Sequence, residues 1–171
     1  MPRRSIKLHP DSASPVDGIE VDFSRPAAGL LRLRYAMRGD IAGMVVPPPG
    51  PAARTDGLWQ HTCFELFLGA GAGYYEYNFS PSTSWAAYRF DGHRRGMRDF
   101  ATDAPEIVWD GPAATLTATI ALPSDLTGPL GLSAIVEDTE GSRSFWALAH
   151  PPGEPDFHDA ACFAAQVPPA G

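Results

Sequence analysis

The feature that most constrains this sequence is a series of short apolar, aromatic-rich segments between residues 58 and 90. A glycine-rich break at 69–73 and the tripeptide Pro81-Ser82-Thr83 separate these segments. Short breaks between apolar runs are typical of β-hairpins. We therefore predict three antiparallel strands in a central meander that spans residues 58–90.

Glycine and proline residues also interrupt the rest of the chain. The whole sequence holds 17 glycines and 18 prolines among 171 residues. Turn residues spread in this way favour many short strands over long helices. Further strands are predicted at 6–9, 19–23, 30–37, 41–46, 107–109, 114–122, 131–138, 143–149 and 160–167. The last of these is alanine-rich and could also form a short helix, and one helical turn could begin at 123–126.

These patterns predict the fold class and the domain organisation. Ten or more short strands favour an all-β fold, an antiparallel β-sandwich or flattened barrel with at most short helical turns. A length of 171 residues, without a linker or an internal repeat, predicts a single domain over residues 1–171.

Alternation with a period of two assigns each residue of the meander to one face of the sheet. Apolar side chains dominate one face, to which the alternation assigns Ala86, Tyr88 and Phe90 of the third strand. The opposite face then gathers polar and aromatic side chains from all three strands: Glu65, Glu76, Asn78, Trp85 and Arg89. Two carboxylates, an amide, an indole and a guanidinium on one face form a candidate binding surface. A slip of one residue in any strand would break up this grouping.

Charge and hydropathy bear on the partners and on the location of the chain. A net charge of −7 argues against nucleic acid and against an anionic membrane surface. No segment approaches the roughly 20 apolar residues of a membrane span. Residues 1–10 carry positive charge, but no apolar run follows them, so they do not have the pattern of a secretory signal peptide. A cytoplasmic location is therefore expected, or a secreted one if a longer precursor was trimmed.

Cysteine usage and catalytic motifs point to no metal site. Cys63 and Cys162 lie in apolar runs, and buried free thiols are predicted, although the sequence leaves a disulfide between them open. No zinc-ligand spacing, phosphate-binding loop or Gly-x-Ser-x-Gly motif occurs.

The titratable residues of the candidate surface admit two interpretations. Glu65 and Glu76 lie on adjacent strands and could form the acid–base pair of a glycosidase. The favoured alternative is that they pair with Arg89 or bind ligand hydroxyls. His61 and His158 are predicted to be structural hydrogen-bond partners, with His158 part of a latch for the last strand.

Several motifs together resemble a known family. The segments 58–67, 74–81 and 85–89, with the ending at 146–158, resemble the type 9 carbohydrate-binding modules and their DOMON-like relatives. The resemblance implies a β-sandwich that binds sugars without cleaving them, in which two tryptophans enclose a terminal sugar with help from a glutamate and an arginine. Trp59, Glu65 and Arg89 match three of these positions, and Trp146 is the best match for the second tryptophan. One of Phe145 and Trp146 must in any case point away from the core.

The sequence therefore predicts a non-catalytic protein that binds a mono- or oligosaccharide by aromatic stacking and by hydrogen bonds from Glu, Asn and Arg. The predicted ligand-binding residues are Trp59, Glu65, Glu76, Asn78, Trp85, Arg89 and Trp146. Which sugar is bound, and the oligomeric state, are left open.

Alternative functions also follow from the resemblance. Some DOMON-like members resemble haem-binding domains, for which the candidate axial ligands are Met37, Met44, Met97, His61 and His158. A module that binds a protein partner, with no sugar ligand, is another alternative. Some type 9 modules hold structural calcium, but no dense Asp/Asn loop carries calcium over to this sequence.

Overall fold

The computed structural model describes residues 1–123 and 126–171. Its strands are β1 (Arg3–Leu8), β2 (Val16–Ser24), β3 (Leu30–Gly39), β4 (Cys63–Ala70), β5 (Gly73–Phe79), β6 (Trp85–Phe90), β7 (Arg98–Asp99), β8 (Glu106–Asp110), β9 (Thr115–Ala121), β10 (Pro129–Glu137), β11 (Arg143–Ala147) and β12 (Ala165–Gln166). Three single 3-10 turns, at Ile41–Gly43, Leu58–Gln60 and Ala160–Cys162, are the helical elements of the described ranges.

All strand pairs of the described chain are antiparallel, and they form one continuous sheet. The strand order is β7-β6-β5-β4-β10-β11-β1-β2-β3-β9-β8, and β12 pairs with β10. The sheet curls into a half-barrel with two facing layers, which meet at β1. Strand β1 pairs with β2 on one side and with β11 on the other. The prediction of an all-β antiparallel fold with only short helical turns is confirmed.

The main core lies between the two layers. Leu33 and Tyr35 of β3 and Phe64 and Leu66 of β4 are completely buried in it. The Tyr35 hydroxyl crosses the core and donates a hydrogen bond to the Glu65 carbonyl oxygen, 2.7 Å away. This bond ties β3 to β4 directly beneath the predicted binding surface.

A second apolar cluster covers the outer face of the layer that contains β4, β5 and β6. Its buried members are Phe67, Tyr74, Ala86, Tyr88, Phe90, Ile135, Ala147 and Phe157. Phe157 belongs to the proline-rich segment 150–163, which packs over this face. As a result, this layer is apolar on both sides.

Most predicted strands are observed, with four differences. The strand predicted at 41–46 is wrong: Ile41–Gly43 forms a 3-10 turn, which Asp40 caps by accepting from the Gly43 amide at 3.2 Å. The three strands of the meander are confirmed, but the segment before the first of them is also a 3-10 turn. The predicted closing segment at 160–167 contains both a 3-10 turn and β12. Strand β7 was not predicted.

The helical turn predicted at 123–126 includes Ser124 and Asp125, which lie outside the described residues. Both cysteines are buried free thiols, as predicted. Across the described ranges, no helix is long and apolar enough to traverse a lipid bilayer.

Candidate functional site

The registers of β4, β5 and β6 show which side chains share a face. Glu65 is opposite Asn78, and Glu76 lies between Phe67 on one side and Tyr88 on the other. Directly opposite residues of an antiparallel pair project to the same side of the sheet. The predicted grouping of Glu65, Glu76 and Asn78 is therefore confirmed, and all three lie on the outer face of the layer.

The face predicted for β6 is wrong, and Trp85 and Arg89 do not join this group. Trp85 is opposite Phe79 and Arg89 is opposite Tyr75, so both project to the core side. Trp85 is buried beneath the Arg54 guanidinium, whose carbon lies 4.4 Å from the ring centroid. Because both faces of this layer are apolar, alternation in β6 could not distinguish one face from the other.

Trp146 also projects away from the predicted surface. It lies on β11 opposite Ala134, is only 3% exposed and belongs to the main core. Its indole Nε1 donates to Ser144 Oγ at 3.2 Å, which satisfies the one polar group of the ring. Its neighbour Phe145 faces the opposite side of the sheet. Of the two residues, Phe145 is therefore the one on the outer face.

The outer face holds a cavity of about 460 Å³. The residues that line it are Trp59, Glu65, Glu76, Tyr88, Phe90, Arg94, Met97, Ile135, Arg143, Phe145, Pro155, Phe157 and His158. Buried carboxyl groups form its floor, and Trp59, Met97 and Arg143 are exposed at its mouth. The structure thus brings together three of the seven predicted site residues in one cavity, with Asn78 directly behind them.

Glu65 lies at the floor of the cavity with both oxygens hydrogen-bonded. Ser133 Oγ donates to Oε1 at 3.2 Å, and the Asn78 amide nitrogen, in the orientation that satisfies its neighbours, donates to Oε2 at 3.0 Å. Burial raises the pKa of Glu65 well above its usual range, and the nearby charge of Glu76 raises it further. The opposing effects of Ser133 and Arg94 are smaller. Glu65 therefore remains a neutral carboxylic acid over a wider pH range than an exposed glutamate.

Glu76 is the end of a chain of polar contacts that reaches the surface loop 91–97. Its Oε1 lies 3.2 Å from His158 Nε2. His158 Nδ1 lies 2.7 Å from the Tyr74 hydroxyl, which accepts from the Arg94 amide at 3.1 Å. One tautomer suits these contacts: Tyr74 donates to Nδ1, and Nε2 carries the proton that faces Glu76. The arrangement holds the Glu76 carboxylate in a fixed position at the floor.

Asp156 fastens the segment that closes one side of the cavity. Its carboxylate lies 2.6 Å from His93 Nε2 and 2.9 Å from Arg94 Nη2, and it accepts from the His158 amide at 3.2 Å. Burial opposes ionisation, but the bonds from His93 and Arg94 outweigh it and lower the pKa of Asp156. These contacts are consistent with the latch predicted around His158.

The aromatic side of the mouth is built by a turn and a strand. Trp59 lies in the 3-10 turn Leu58–Gln60, which follows Gly57 with a φ of 75°, and its side chain is 48% exposed. The Arg143 guanidinium carbon lies 5.5 Å from the Trp59 ring centroid and 5.9 Å from that of Phe145. An indole and a phenyl ring therefore flank one cation at the entrance.

The candidate axial ligands of the haem alternative are dispersed. Met37 and Met44 are buried in the main core, and His61 Nδ1 lies 2.8 Å from Glu137 Oε2. Met97 and His158 both line the cavity, but His158 Nδ1 is hydrogen-bonded to Tyr74 and Nε2 lies 3.2 Å from Glu76 Oε1. In the part of the chain that the structure describes, no three His, Cys, Asp or Glu side chains form a group that could hold a metal ion.

Several lining residues were not predicted from the sequence: Tyr88, Phe90, Arg94, Ile135, Arg143, Pro155 and Phe157. For the strand residues, the register supplies the missing signal. Ser133 of β10 is opposite Glu65, so Ile135, Phe145 and Arg143 share the Glu65 face. Tyr88 of β6 is opposite Glu76, so Tyr88 and Phe90 share it as well. Arg94, Pro155 and Phe157 come from two loops, whose approach alternation does not encode.

Comparison with known proteins supports the fold. The structure superposes on a crystal structure from Bacteroides uniformis ATCC 8492, of a "putative carbohydrate-binding protein", with a TM-score of 0.70. The alignment covers 97% of this chain and 85% of that one at 11% sequence identity. No protein-family model and no curated protein sequence matches the chain.

Proposed function

We propose that this protein binds a mono- or oligosaccharide in the outer-face cavity and does not cleave it. The observation that carries the proposal is one cavity that combines exposed aromatic rings at its mouth with buried carboxyl groups at its floor. Pyranose rings have apolar faces that pack on aromatic rings and hydroxyl groups that need hydrogen-bond partners. The fold shared with the Bacteroides uniformis protein is consistent with this function.

The two carboxyl groups would divide the recognition of hydroxyl groups between them. The Glu76 carboxylate accepts hydrogen bonds from sugar hydroxyls, and Glu65 in its protonated form adds one donor together with its remaining acceptor capacity. Their fixed positions favour discrimination, because a ligand without a matching hydroxyl would leave a buried polar group without a partner. Trp59 and Phe145 would cover the apolar face of the same sugar.

A panel of neutral and charged monosaccharides and disaccharides, measured by calorimetry and by thermal shift, tests this function. A ligand that binds only the native state raises the melting temperature by mass action. Trp59→Ala should abolish the shift, whereas Trp109→Ala, a half-buried tryptophan on β8 of the other layer, should retain it. Absence of binding across the panel at millimolar sugar would contradict the proposal, and equal affinity in Trp59→Ala would contradict the assigned cavity.

A glycosidase is the second candidate, because Glu65 and Glu76 line one cavity and burial raises the pKa of Glu65. A carboxyl group with a raised pKa beside a second carboxyl group is typical of the general acid of a glycosidase. Our proposal predicts no turnover of chromogenic glycosides. Turnover that is lost in both Glu65→Gln and Glu76→Gln would instead establish the enzymatic function.

A further inference from the structure

Each charged side chain that lines the cavity, except one, has a charged or hydrogen-bonding protein partner. Glu76 Oε1 lies 3.2 Å from His158 Nε2, and Arg94 is paired with Asp156. Glu65 accepts hydrogen bonds from Ser133 and Asn78. Among the described residues, Arg143 has no carboxylate within 4.0 Å and no hydrogen bond.

The cross-strand neighbour of Arg143 does not form an ion pair with it. Glu137 of β10 is directly opposite Arg143, but its carboxylate lies 2.8 Å from His61 Nδ1. Among the described residues, the cavity mouth therefore presents a cation that contacts no carboxylate, although the whole chain has a net charge of −7.

The position of Arg143 leaves its hydrogen-bonding edge available. Trp59 and Phe145 contact the guanidinium through their rings. Contacts of this type restrict the rotamers of arginine but do not use the N–H donors in the guanidinium plane. An arginine fixed in this way is suited to bidentate binding of a carboxylate or a phosphate.

We propose that the ligand is an acidic sugar, with its hydroxyl groups at the Glu65–Glu76 floor and its anionic group bound by Arg143 at the mouth. This inference rests on the sugar-binding function proposed above and adds the chemical class of the ligand. The anionic group is a carboxylate, as in a uronic acid, or a phosphate, as in a sugar phosphate.

The test compares matched ligands by titration calorimetry. Glucuronic and galacturonic acid, glucose 6-phosphate, glucose and galactose are each titrated into the wild-type protein, Arg143→Gln and Arg32→Gln. Arg32 is an exposed arginine on β3 of the other layer and serves as the control. At least one acidic ligand should bind at least tenfold more tightly than its neutral parent. The preference should disappear in Arg143→Gln and persist in Arg32→Gln.

Other outcomes separate the two proposals. Equal affinity for neutral and acidic sugars, or an acidic preference that survives Arg143→Gln, would overturn this inference and leave the sugar-binding function intact. Failure of every sugar to bind would overturn both. Preference for the uronic acids assigns a carboxylate ligand, and preference for glucose 6-phosphate assigns a phosphate.

Discussion

At the scale of single residues, the position of a side chain decides its role more than its type does. Trp59 and Trp146 both match tryptophans of the sugar-binding resemblance, yet one is 48% exposed at the cavity mouth and the other is 3% exposed in the core. Both are aromatic residues close to strand ends in the sequence. Trp59 lies in the 3-10 turn before β4, whereas the register of β11 against β10 directs Trp146 into the core.

The two tryptophans should therefore differ in their effect on stability. Trp146→Ala removes a buried indole and should lower the free energy of unfolding by about 3–5 kcal/mol. Trp59→Ala should lower it by less than about 0.5 kcal/mol, because the ring is largely in solvent. Urea denaturation followed by circular dichroism measures both values. Equal destabilisation by the two substitutions would contradict the assigned orientations.

Glu65 should make stability depend on pH in a direction opposite to that of most carboxylates. Its pKa in the folded state lies well above the reference value of 4.5, so the native state binds more protons than the unfolded state at higher pH. Stability should then fall as pH rises from 4.5 through the folded-state pKa, by at most about 1.4 kcal/mol per pH unit. Glu65→Gln should abolish this decline.

Denaturation curves recorded at a series of pH values from 4.5 upward check the effect of Glu65. Glu106→Gln, which changes an exposed glutamate on β8, is the matched control and should leave the decline unchanged. A wild-type protein that gains stability across this range, with Glu65→Gln showing the same trend, would contradict the assigned protonation of Glu65.

At the scale of elements, the sequence predicts the existence of strands better than their orientation. The meander and its two breaks could be predicted because glycine and proline mark turns locally. The face to which each β6 side chain points could not be predicted. It depends on the register across the loop 80–84, and both faces of the layer are apolar. Of the two loops that complete the cavity, 91–97 directly follows the meander and 150–163 lies far along the chain. Alternation carries no information on how either loop packs over the sheet.

The proline-rich segment before Trp59 is attached to the sheet by backbone hydrogen bonds between residues 53–55 and Trp85, and by the side chain of Arg54. Arg54 donates from Nη1 to the Ala87 carbonyl at 2.9 Å and from Nη2 to the Phe100 carbonyl at 2.7 Å, while its guanidinium covers Trp85. The planar guanidinium of arginine has two terminal nitrogens that can donate to two carbonyl oxygens at once. The ammonium group of lysine cannot reproduce this forked geometry. Arg54, five residues before Trp59, is therefore one of the anchors that place Trp59 at the mouth, together with the backbone bonds to Trp85 and the hydrogen bond from Tyr88 to Asp56.

Arg54→Lys should destabilise the protein by about 1–3 kcal/mol, because charged hydrogen bonds to two buried carbonyl groups are lost. It should also increase hydrogen exchange in residues 51–60. Hydrogen-exchange mass spectrometry measures this change, with Arg32→Lys as the control. Unchanged exchange in Arg54→Lys would show that the anchor does not hold the segment.

At the scale of the whole molecule, the two layers form one sheet whose continuity depends on β1. Only Lys7 and Leu8 pair with β11, opposite Ala147 and Trp146, whereas four residues of β1 pair with β2. Ile6 is buried and adds an apolar contact with the main core. Without β1, both β2 and β11 would become edge strands.

Deletion of residues 1–8 should therefore cause aggregation, because two unpaired strand edges act as templates for pairing with other chains. Size-exclusion chromatography with light scattering measures the oligomers formed. Deletion of residues 169–171, which are exposed and lie outside the strands, is the control and should leave the elution unchanged. A truncated protein that elutes like the full chain and unfolds at the same temperature would contradict the role given to β1.

The shared strand also sets an order of events during synthesis on the ribosome. Lys7 meets its partner Ala147 across 140 positions (147 − 7), so the hairpin of β1 and β2 emerges long before the second edge of β1 can be covered. At ordinary rates of translation this interval is on the order of ten seconds. During that time the nascent chain carries an open strand edge, and a chaperone that shields such edges would be needed early.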